Sequence, residues 1–373
     1  MRVLFITNIP APYRVDFWNE LGLHCDLTVW FEASSEKDRE WEIDGLGKNF
    51  KYKFLNGYTF GLDKHLNLGI IGELRNSKFD IYIMGGYSTP TEMLAITWLK
   101  FNRIPFLLNS DGGFIKRGEN PLLKNIKRFF ISSAAAYLSS GKNCLKYLMY
   151  YGATEREVYE YPFSSVSFSP NDRMSLSPAD KVEIRNNLQL REKVVLSIGR
   201  FISLKGFDTL IKSFELIDDN KTTLVLIGGG PERANYEALI KEYELTDKVV
   251  LIDFLQKNEL IPYWNIADLF VFPTRNDVWG LVLNEAITFG LPIIATTGAG
   301  ASFDLVEQNK NGFVVEVDDI QDIANKTRLL LNDEDLRKQF GSHSREISEL
   351  FTVKEMVKKH LHIFDEFLSL QGE

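Results

Sequence analysis

The chain has 373 residues, of which 45% are hydrophobic and 25% are charged, with a net charge of -8 and two cysteines. These are the values of a globular protein, and they exclude a disordered chain, a collagen-like repeat and a disulfide scaffold. The length exceeds that of one ordinary compact domain and therefore predicts two domains. Cys25 and Cys144 stand far apart without a partner motif, which fits a reducing, cytoplasmic environment.

In the first half, short apolar runs alternate with helical patterns, which is typical of parallel βαβ layers. The opening run is broken too early by Asn8 and Pro10 for a signal peptide, so we predict a buried strand there. No run reaches the roughly 18 apolar residues of a membrane span, so any membrane contact would be peripheral. The predicted strands are Val3–Thr7, Leu27–Phe31, Phe79–Met84, Ile104–Leu108 and Tyr137–Ser139. The predicted helices lie near 13–22, 89–101, 121–132 and 142–150.

The second half repeats this alternation and then ends in an amphipathic helical pattern over Val353–Leu370. Between the halves, Pro162–Asp180 is rich in Ser and Pro and predicts a hinge. We therefore predict two α/β, Rossmann-like domains with parallel sheets, over residues 1–165 and 166–352, with residues 353–373 completing the first. The predicted strands of the second domain are Val194–Ile198, Thr223–Ile227, Val249–Ile252, Leu269–Phe272 and Pro292–Thr296.

The charge is unevenly distributed along the chain. The acidic excess lies after residue 165, which argues against a nucleic-acid-binding protein because such a protein displays a basic face. Residues 114–150 are locally basic, with apolar residues interleaved at helical spacing. Two interpretations stay open: a solvated face over an ordinary core stripe, or a site for an anionic membrane surface or a phosphate-bearing acceptor. The basic residues are Lys116, Arg117, Lys124, Lys127, Arg128, Lys142 and Lys146.

Two loops after predicted strands of the second domain are suited to phosphate and nucleotide binding, because ligands of open parallel sheets bind at the carboxyl ends of strands. In the first loop, Arg200 and Lys205 could bind phosphate oxygens, although a strand-end arginine is also often a surface ion-pair partner. The second loop holds Gly228, Gly229 and Gly230, which would let a base or ribose approach the backbone. A tight turn without a ligand is the alternative, since the spacing is not that of a dinucleotide fingerprint.

The third loop runs from strand to helix between Phe272 and Ala286. Its Gly280, Leu281 and Val282 would direct backbone N–H groups at an anion, while carboxylates on either side could accept hydrogen bonds from ribose and hexose hydroxyls. The two carboxylates belong to Asp277 and Glu285, with seven residues between them.

This spacing resembles the motif of glycosyltransferase family 4, retaining transferases of the GT-B architecture, in which two glutamates are separated by seven residues. The resemblance implies two domains with a cleft between them. It also implies that Glu285 holds the ribose of the nucleotide and that Asp277 contacts the donor sugar. Asp277 departs from the family's glutamate by one methylene.

The resemblance extends over most of the chain. It assigns Arg200 and Lys205 to the donor diphosphate and Gly228–Glu232 to the nucleotide loop. It assigns Val250–Gln256, which includes Phe254, to the edge of the base. Asn8–Arg14 resembles the opening loop of bacterial capsule and polysaccharide members.

A fourth loop, after a strand of the first domain, departs from the family pattern. Asp111 stands where many members carry a histidine that faces the donor sugar. A carboxylate there could accept a sugar hydroxyl or the acceptor proton, and a structural Asp-Gly-Gly turn is the alternative. None of the five histidines lies in these loops, so we assign none a catalytic role.

No metal site is expected from the sequence. The one Asp-x-Asp spacing, at Asp333 and Asp335, is typical of a helix start. The charge of a departing diphosphate would then be offset by Arg200, Lys205 and a helix N-terminus, without a metal or another cofactor.

The resemblance implies a cytoplasmic, retaining glycosyltransferase that acts in cell-surface polysaccharide synthesis. The donor would be a UDP-sugar, with a GDP-sugar as the alternative, and the acceptor a glycan or a lipid-linked glycan. Two rival hypotheses are a non-catalytic sugar-nucleotide-binding relative and a hydrolysing sugar-nucleotide epimerase of the same architecture.

Overall fold

The computed structural model describes residues 1–36, 44–116, 118–165, 172–174, 176–217 and 219–371. The chain divides into two compact units, Met1–Ser167 with Phe351–Glu373, and Phe168–Leu350. Part of the predicted hinge and Arg117 of the basic segment lie outside the described residues. The end of the hinge prediction was wrong, because a helix begins at Pro178, where Ser177 caps it by accepting a hydrogen bond from the Asp180 amide.

The described residues of the N-terminal unit form a seven-stranded parallel sheet and a separate two-stranded hairpin. The strands are β1 (Arg2–Thr7), β2 (Asp26–Phe31), β3 (Lys51–Phe54), β4 (Tyr58–Phe60), β5 (Lys64–Leu66), β6 (Ile81–Met84), β7 (Leu107–Ser110), β8 (Ala136–Ser139) and β9 (Val158–Glu160). The helices are α1 (Pro12–Leu21), α2 (Ile70–Asn76), α3 (Pro90–Phe101), α4 (Pro121–Ile131) and α5 (Lys142–Tyr150). The sheet order is β3-β2-β1-β6-β7-β8-β9, and β4 pairs with β5.

The described residues of the C-terminal unit form a six-stranded parallel sheet in the order β12-β11-β10-β13-β14-β15. Its strands are β10 (Lys193–Ile198), β11 (Thr222–Ile227), β12 (Val249–Ile252), β13 (Leu269–Phe272), β14 (Ile293–Thr296) and β15 (Gly312–Val315). Its helices are α6 (Pro178–Asn187), α7 (Phe207–Glu215), α8 (Arg233–Glu242), α9 (Lys257–Ile266), α10 (Val282–Thr288), α11 (Ser302–Leu305), α12 (Ile320–Asn332) and α13 (Glu334–Leu350).

The predicted strands and helices are confirmed, with one clear displacement. The strand predicted over Ile104–Leu108 begins at Leu107 instead. Ile104 instead belongs to the turn that ends α3, because Arg103 adopts a positive φ of 55° and the Ile104 amide donates to the Leu99 carbonyl. Strands β3, β4, β5 and β9 were missed because each is only three or four residues long and includes at least one exposed side chain.

In both sheets the first strand lies inside the sheet, and the chain adds strands on one side of it before it crosses to the other. The crossing places β6 beside β1 in the N-terminal unit and β13 beside β10 in the C-terminal unit. The loops that leave such a pair turn to opposite faces of the sheet, which opens a crevice at the carboxyl ends of the strands. These two switch points locate the functional loops.

The final helix, α14 (Val353–Gln371), belongs to the N-terminal unit. Its His360 is fully buried, with its ring 4.6 Å from that of Phe17 and 4.5 Å from that of Tyr161. Burial lowers the pKa of His360 to about 3, although its hydrogen bond with the Met356 carbonyl acts in the opposite direction. The imidazole is therefore neutral in the folded protein at physiological pH.

We expect the buried neutral His360 to make stability depend on pH. Its pKa is depressed in the folded state, so its contribution is complete above the unfolded value of about 6.5 and is lost as pH falls toward 3. The unfolding free energy of the wild type should decrease between pH 7 and pH 5. In His360→Phe this decrease should be smaller by about 2 kcal/mol, because the buried imidazole is absent. Denaturant unfolding at both pH values measures this. The matched control is His362→Phe, at an exposed position of the same helix, and an unchanged pH dependence in His360→Phe would contradict the assignment.

Candidate functional site

The loops after β10 and β13, on either side of the C-terminal switch point, are joined by an ion pair between Lys205 and Asp277. Both side chains are largely buried, at 17% and 21% exposure, so solvent screens the pair only in part. The backbone of Asp277 is also fixed, since its amide donates to the Gly298 carbonyl at 2.9 Å and its carbonyl accepts from the Gly300 amide at 3.0 Å. The sequence placed these two residues in different roles and did not indicate that they touch.

The close approach of the two loops depends on Gly206. It has a φ of 66°, and a Cβ at this position would overlap the carbonyl oxygen of Pro273. A glycine is therefore required immediately after Lys205, for backbone conformation and for space. The ammonium group of Lys205 also lies 5.6 Å from the ring centroid of Phe272.

The loop that contains Gly280 and Leu281 leads directly into α10. Gly280 has a φ of 95°, and a Cβ there would lie 2.6 Å from the ring of Phe272. Because the first amides of a helix have no acceptor within the helix, Leu281 and Val282 present N–H groups at this end. Nearby, the buried Trp279 donates from Nε1 to Asn284 Oδ1 at 2.8 Å and holds the loop against the helix. The predicted run Gly280 to Val282 thus lies at a helix start.

Glu285 is half-buried on α10, and burial raises its pKa to about 7. Lys257, at the start of α9, acts in the opposite direction and favours the carboxylate. A carboxyl group whose pKa burial raises toward neutral pH, on the helix that follows a strand-end loop, is a candidate functional group. Lys257 was missed from the sequence, and the signal that could have found it is its position directly after the segment that contains Phe254.

The three glycines after β11 differ in whether packing requires a glycine at their position. The Phe201 amide donates to the Gly229 carbonyl at 2.7 Å, so this loop lies against the loop that carries Arg200. A Cβ on Gly228 would overlap the Gly199 carbonyl, and a Cβ on Gly230 would crowd the Phe201 carbonyl, whereas a Cβ on Gly229 would meet no described atom within 4 Å. Packing therefore accounts for Gly228 and Gly230 but does not require a glycine at position 229.

Arg200 and Phe254, the other predicted residues of this unit, are both exposed. Arg200 lies on the loop directly after β10. Phe254 follows β12 and is 64% exposed, which is unusual for a phenylalanine side chain. All the predicted donor-site residues of the C-terminal unit thus follow carboxyl ends of strands in one sheet.

In the N-terminal unit, Asp111 follows β7 and forms an ion pair with Arg14 of α1. Arg14 is 6% exposed, and the Asp111 side chain is 33% exposed. Asn109 Nδ2 donates to the same Asp111 oxygen at 3.2 Å. The catalytic role of Asp111 stays a prediction, and the structure adds that its carboxylate balances a buried cation.

A buried acidic pair near the N-terminal switch point was missed from the sequence. Glu32 follows β2 and Glu92 lies in the first turn of α3, and both are 3% exposed. Burial and the neighbouring Glu92 raise the pKa of Glu32 to about 9, so this carboxyl group holds its proton at neutral pH. Thr89 Oγ1 donates to Glu32 Oε1 at 2.9 Å. No sequence pattern predicts the pair, because Glu32 and Glu92 lie in separate segments of the chain.

The interpretation of Asp333 as a helix start is confirmed, since its Oδ1 accepts a hydrogen bond from the Leu336 amide at 2.8 Å. Within the described ranges, no three or more His, Cys, Asp or Glu side chains are grouped as they would be around a metal ion.

Two Rossmann-like parallel sheets, each with its switch point, define a GT-B fold. A solved structure with this architecture is that of HepE from Anabaena in complex with UDP, with a TM-score of 0.79. The alignment covers 98% of this chain and 100% of that one at 15% sequence identity, which shows the fold alone.

Residues 180–347 match the family model described as "Glycosyl transferases group 1". This range contains the Lys205–Asp277 pair, the three glycines and Glu285. The match lies within the C-terminal unit and agrees there with the resemblance found in the sequence.

Similar curated proteins align over about half of this chain. An uncharacterised glycosyltransferase of Haemophilus influenzae is 29% identical over 195 residues, which are 52% of this chain and 55% of that protein. A GDP-mannose-dependent α-(1-6)-phosphatidylinositol monomannoside mannosyltransferase of Mycobacterium tuberculosis is 31% identical over 199 residues, 50% of this chain and 51% of the relative. The chain thus spans about half the length of the curated relatives it matches.

The glycine loop allows a direct test of packing. We expect Gly228→Ala to lower the unfolding temperature by at least about 3 °C, because the added methyl group overlaps a backbone oxygen and forces the two loops apart. Gly229→Ala should leave the unfolding temperature unchanged, since its Cβ meets open space. Thermal unfolding of the two purified variants measures both effects. Equal unfolding temperatures would show that the two loops do not pack as described.

Proposed function

We propose that this chain is a retaining glycosyltransferase that transfers a sugar from a nucleoside diphosphate to a glycan or lipid-linked glycan. The observation that carries the proposal is the Lys205–Asp277 pair at the C-terminal switch point, with Glu285 on the helix that follows the same loop. A cation, two carboxylates and a helix start at one sheet edge match the groups of a sugar nucleotide: diphosphate, sugar hydroxyls and ribose. The family match over residues 180–347 supports this proposal.

In the proposed donor complex, Lys205 and Arg200 neutralise the diphosphate. The ion pair with Asp277 holds the Lys205 ammonium in place before the donor arrives, so little side-chain freedom is lost on binding. Phosphate oxygens then compete with Asp277 for this ammonium group. The carboxylate of Asp277 that is released in this way accepts a hydrogen bond from a hydroxyl of the donor sugar.

The nucleoside part is assigned to three other loops. Glu285 accepts hydrogen bonds from the ribose hydroxyls, and Lys257 opposes the burial that raises the pKa of this carboxyl group to about 7. The backbone at Gly229 is open to close approach, and Phe254 offers an exposed ring to the base. The HepE structure contains UDP, and the mycobacterial relative is named as GDP-mannose-dependent, so we propose UDP as the first donor nucleotide to test and GDP as the alternative.

The proposed reaction proceeds with retention and without a metal. The bond between the anomeric carbon and the diphosphate oxygen breaks, and the acceptor hydroxyl forms the new bond on the same face of the sugar. The departing phosphate oxygen takes the acceptor proton, which balances the step without a protein nucleophile. Arg200, Lys205 and the amides at the start of α10 stabilise the negative charge that develops on the diphosphate. Asp277 and Asp111 orient hydroxyl groups.

Two results would distinguish the rival hypotheses. A non-catalytic relative would bind the nucleotide without turnover, and a hydrolysing epimerase would release free sugar without attaching it to an acceptor. A glycosylated acceptor would support the transferase proposal over both.

We expect Glu285→Ala and Arg200→Ala each to reduce donor kcat/KM by about 10- to 100-fold, because each removes a charge-assisted hydrogen bond to the nucleotide. The measurements are UDP and GDP affinity by calorimetry and transfer of labelled sugar in the presence of EDTA. Glu242→Ala, at an exposed position of α8, is the matched control and should keep wild-type values. Wild-type kcat/KM in either site variant would refute the donor-site assignment, and activity restored only by added Mg²⁺ or Mn²⁺ would refute metal independence.

We also propose that helix α4 attaches the protein to an anionic membrane surface on the cytoplasmic side. Leu122 is 68% exposed, Leu123 is 54% exposed and Phe129 is 44% exposed. Every residue of α4 is described, and of these Ile131 alone is buried. The apolar stripe of α4 is therefore not an ordinary core stripe, and that interpretation was wrong. An exposed apolar face beside basic residues is typical of helices that lie in a membrane interface.

Two basic side chains of α4 contact other side chains of the N-terminal unit. Lys124 Nζ lies 4.0 Å from the ring centroid of Tyr150, while Lys127 is paired with Glu119 at 2.5 Å. No helix in the described part of the chain combines the length and the apolar character required to cross a membrane. The proposed attachment is peripheral, and each basic side chain near the surface would contribute on the order of 1 kcal/mol.

Wild-type protein should sediment with vesicles that contain anionic lipid at low salt and should be released at high salt, because screening weakens the basic contribution. We expect Leu122→Ser with Leu123→Ser to reduce the bound fraction at least about fivefold, since two exposed apolar side chains lose their burial in lipid. The matched control is Leu329→Ser with Leu350→Ser, two exposed leucines of the C-terminal unit. Equal sedimentation of both double variants would rule out α4 as the attachment site.

A further inference from the structure

The carboxylate of Asp111 is anchored through one oxygen. Its Oδ1 accepts hydrogen bonds from Arg14 Nη2 and from Asn109 Nδ2, the latter at 3.2 Å. Across the described residues, Oδ2 receives no hydrogen bond, and the side chain is 33% exposed. Arginine and carboxylate groups frequently pair through two parallel hydrogen bonds, and this pair uses one oxygen. The second oxygen is thus available at the carboxyl end of β7.

Arg14 is held firmly by its surroundings. Its guanidinium carbon lies 5.2 Å from the ring centroid of Phe163 and 5.9 Å from that of Tyr13. Burial disfavours the charged guanidinium, but Asp111 and the hydroxyl groups of Tyr161 and Tyr13 outweigh it and raise the pKa of Arg14. A buried cation that turned away from its carboxylate would be left uncompensated, which is costly. The Arg14 side chain therefore stays directed at Asp111.

A second set of contacts orients Asn109. Tyr161 donates from its hydroxyl group to Asn109 Oδ1 at 3.2 Å, so the Asn109 amide presents its Nδ2 group to Asp111. The Tyr161 ring packs on the neutral His360 of α14 at 4.5 Å. The Asp111 carboxylate is thus fixed by groups from four parts of this unit: α1, β7, the segment after β9, and α14. A plain Asp-Gly-Gly turn needs no such support.

We infer that Arg14 is a positioning residue, which holds Asp111 so that its free Oδ2 accepts a hydrogen bond from a sugar hydroxyl during transfer. This inference rests on the proposed function, because it assigns a substrate hydroxyl to Asp111. It makes two residues that the sequence treated separately, one in the opening loop and one after β7, into a single functional unit. Arg14 itself touches no substrate group in this arrangement.

The test is a double-mutant cycle of Arg14→Met and Asp111→Asn, with kcat, acceptor KM and nucleotide affinity measured in each variant. We expect Arg14→Met to lower kcat at least about tenfold and to leave UDP or GDP affinity within about twofold. In the Asp111→Asn background, Arg14→Met should lower kcat by less than about twofold further, because residues that act through each other are not additive. Arg14→Lys should recover part of kcat, since it keeps a cation but loses the planar guanidinium.

Stability must be separated from positioning, so all variants are assayed well below their unfolding temperatures. The matched control is Arg185→Met, because Arg185 is also a buried arginine, is 8% exposed and pairs with Asp268 at 3.0 Å. It should lower the unfolding temperature without lowering kcat. Should Arg14→Met fail to fold, Tyr161→Phe removes the hydrogen bond to Asn109, keeps the ion pair, and should lower kcat about two- to fivefold.

Wild-type kcat in folded Arg14→Met, or in Tyr161→Phe where that variant replaces it, would overturn the inference. Fully additive losses in the cycle would do the same, because Arg14 would then act independently of Asp111. These outcomes leave the proposed function intact if wild-type protein transfers sugar. Absence of nucleotide binding and of transfer in the wild type would refute the proposed function, and this inference with it.

Discussion

The structure of the candidate site depends on one topological constraint, the change in direction of strand addition inside each parallel sheet. At this point two neighbouring strands send their loops to opposite faces, and side chains from distant parts of the chain meet at one sheet edge. In the C-terminal unit the strands are β10 and β13, and the residues that meet are Lys205 and Asp277, which are 72 positions apart. The other loops that we propose for nucleotide binding follow neighbouring strands of the same sheet.

Each unit has a partly buried ion pair at the carboxyl edge of its sheet. Burying such a pair costs desolvation, so the net gain in stability is small, while loss of one partner is expensive. The pairs therefore contribute more to geometry than to stability, because they keep a charged side chain in one orientation before a ligand arrives. Lys205 is oriented by Asp277 in one unit, and Asp111 by Arg14 in the other. In the proposed reaction, a preorganised Lys205 would stabilise the negative charge of the diphosphate leaving group.

Much of the fold could be predicted, because buried parallel strands appear as apolar runs and their helices as amphipathic patterns. The strands that were missed, such as β3, are short and carry exposed side chains. The strand around Leu107 was placed too early, because the sequence does not reveal that Arg103 ends the preceding helix with a positive φ. The apolar stripe of α4 was equally ambiguous, since periodicity shows which residues share a face and cannot show what covers that face.

The sequence by itself determined which residues follow strand ends, the seven-residue spacing between Asp277 and Glu285, and the glycines at tight positions, because these depend on local backbone chemistry. It also sufficed for the resemblance to a glycosyltransferase family, which the match over residues 180–347 supports. The tertiary structure alone decided that Asp277 pairs with Lys205 and Asp111 with Arg14. It also decided that Lys257 opposes the rise in the pKa of Glu285. Likewise, only the tertiary structure showed that a Cβ has space at Gly229 but not at Gly228 or Gly230. These relations join residues on different strands and helices, and the order of strands in the sheet, which no local pattern encodes, determines whether they meet.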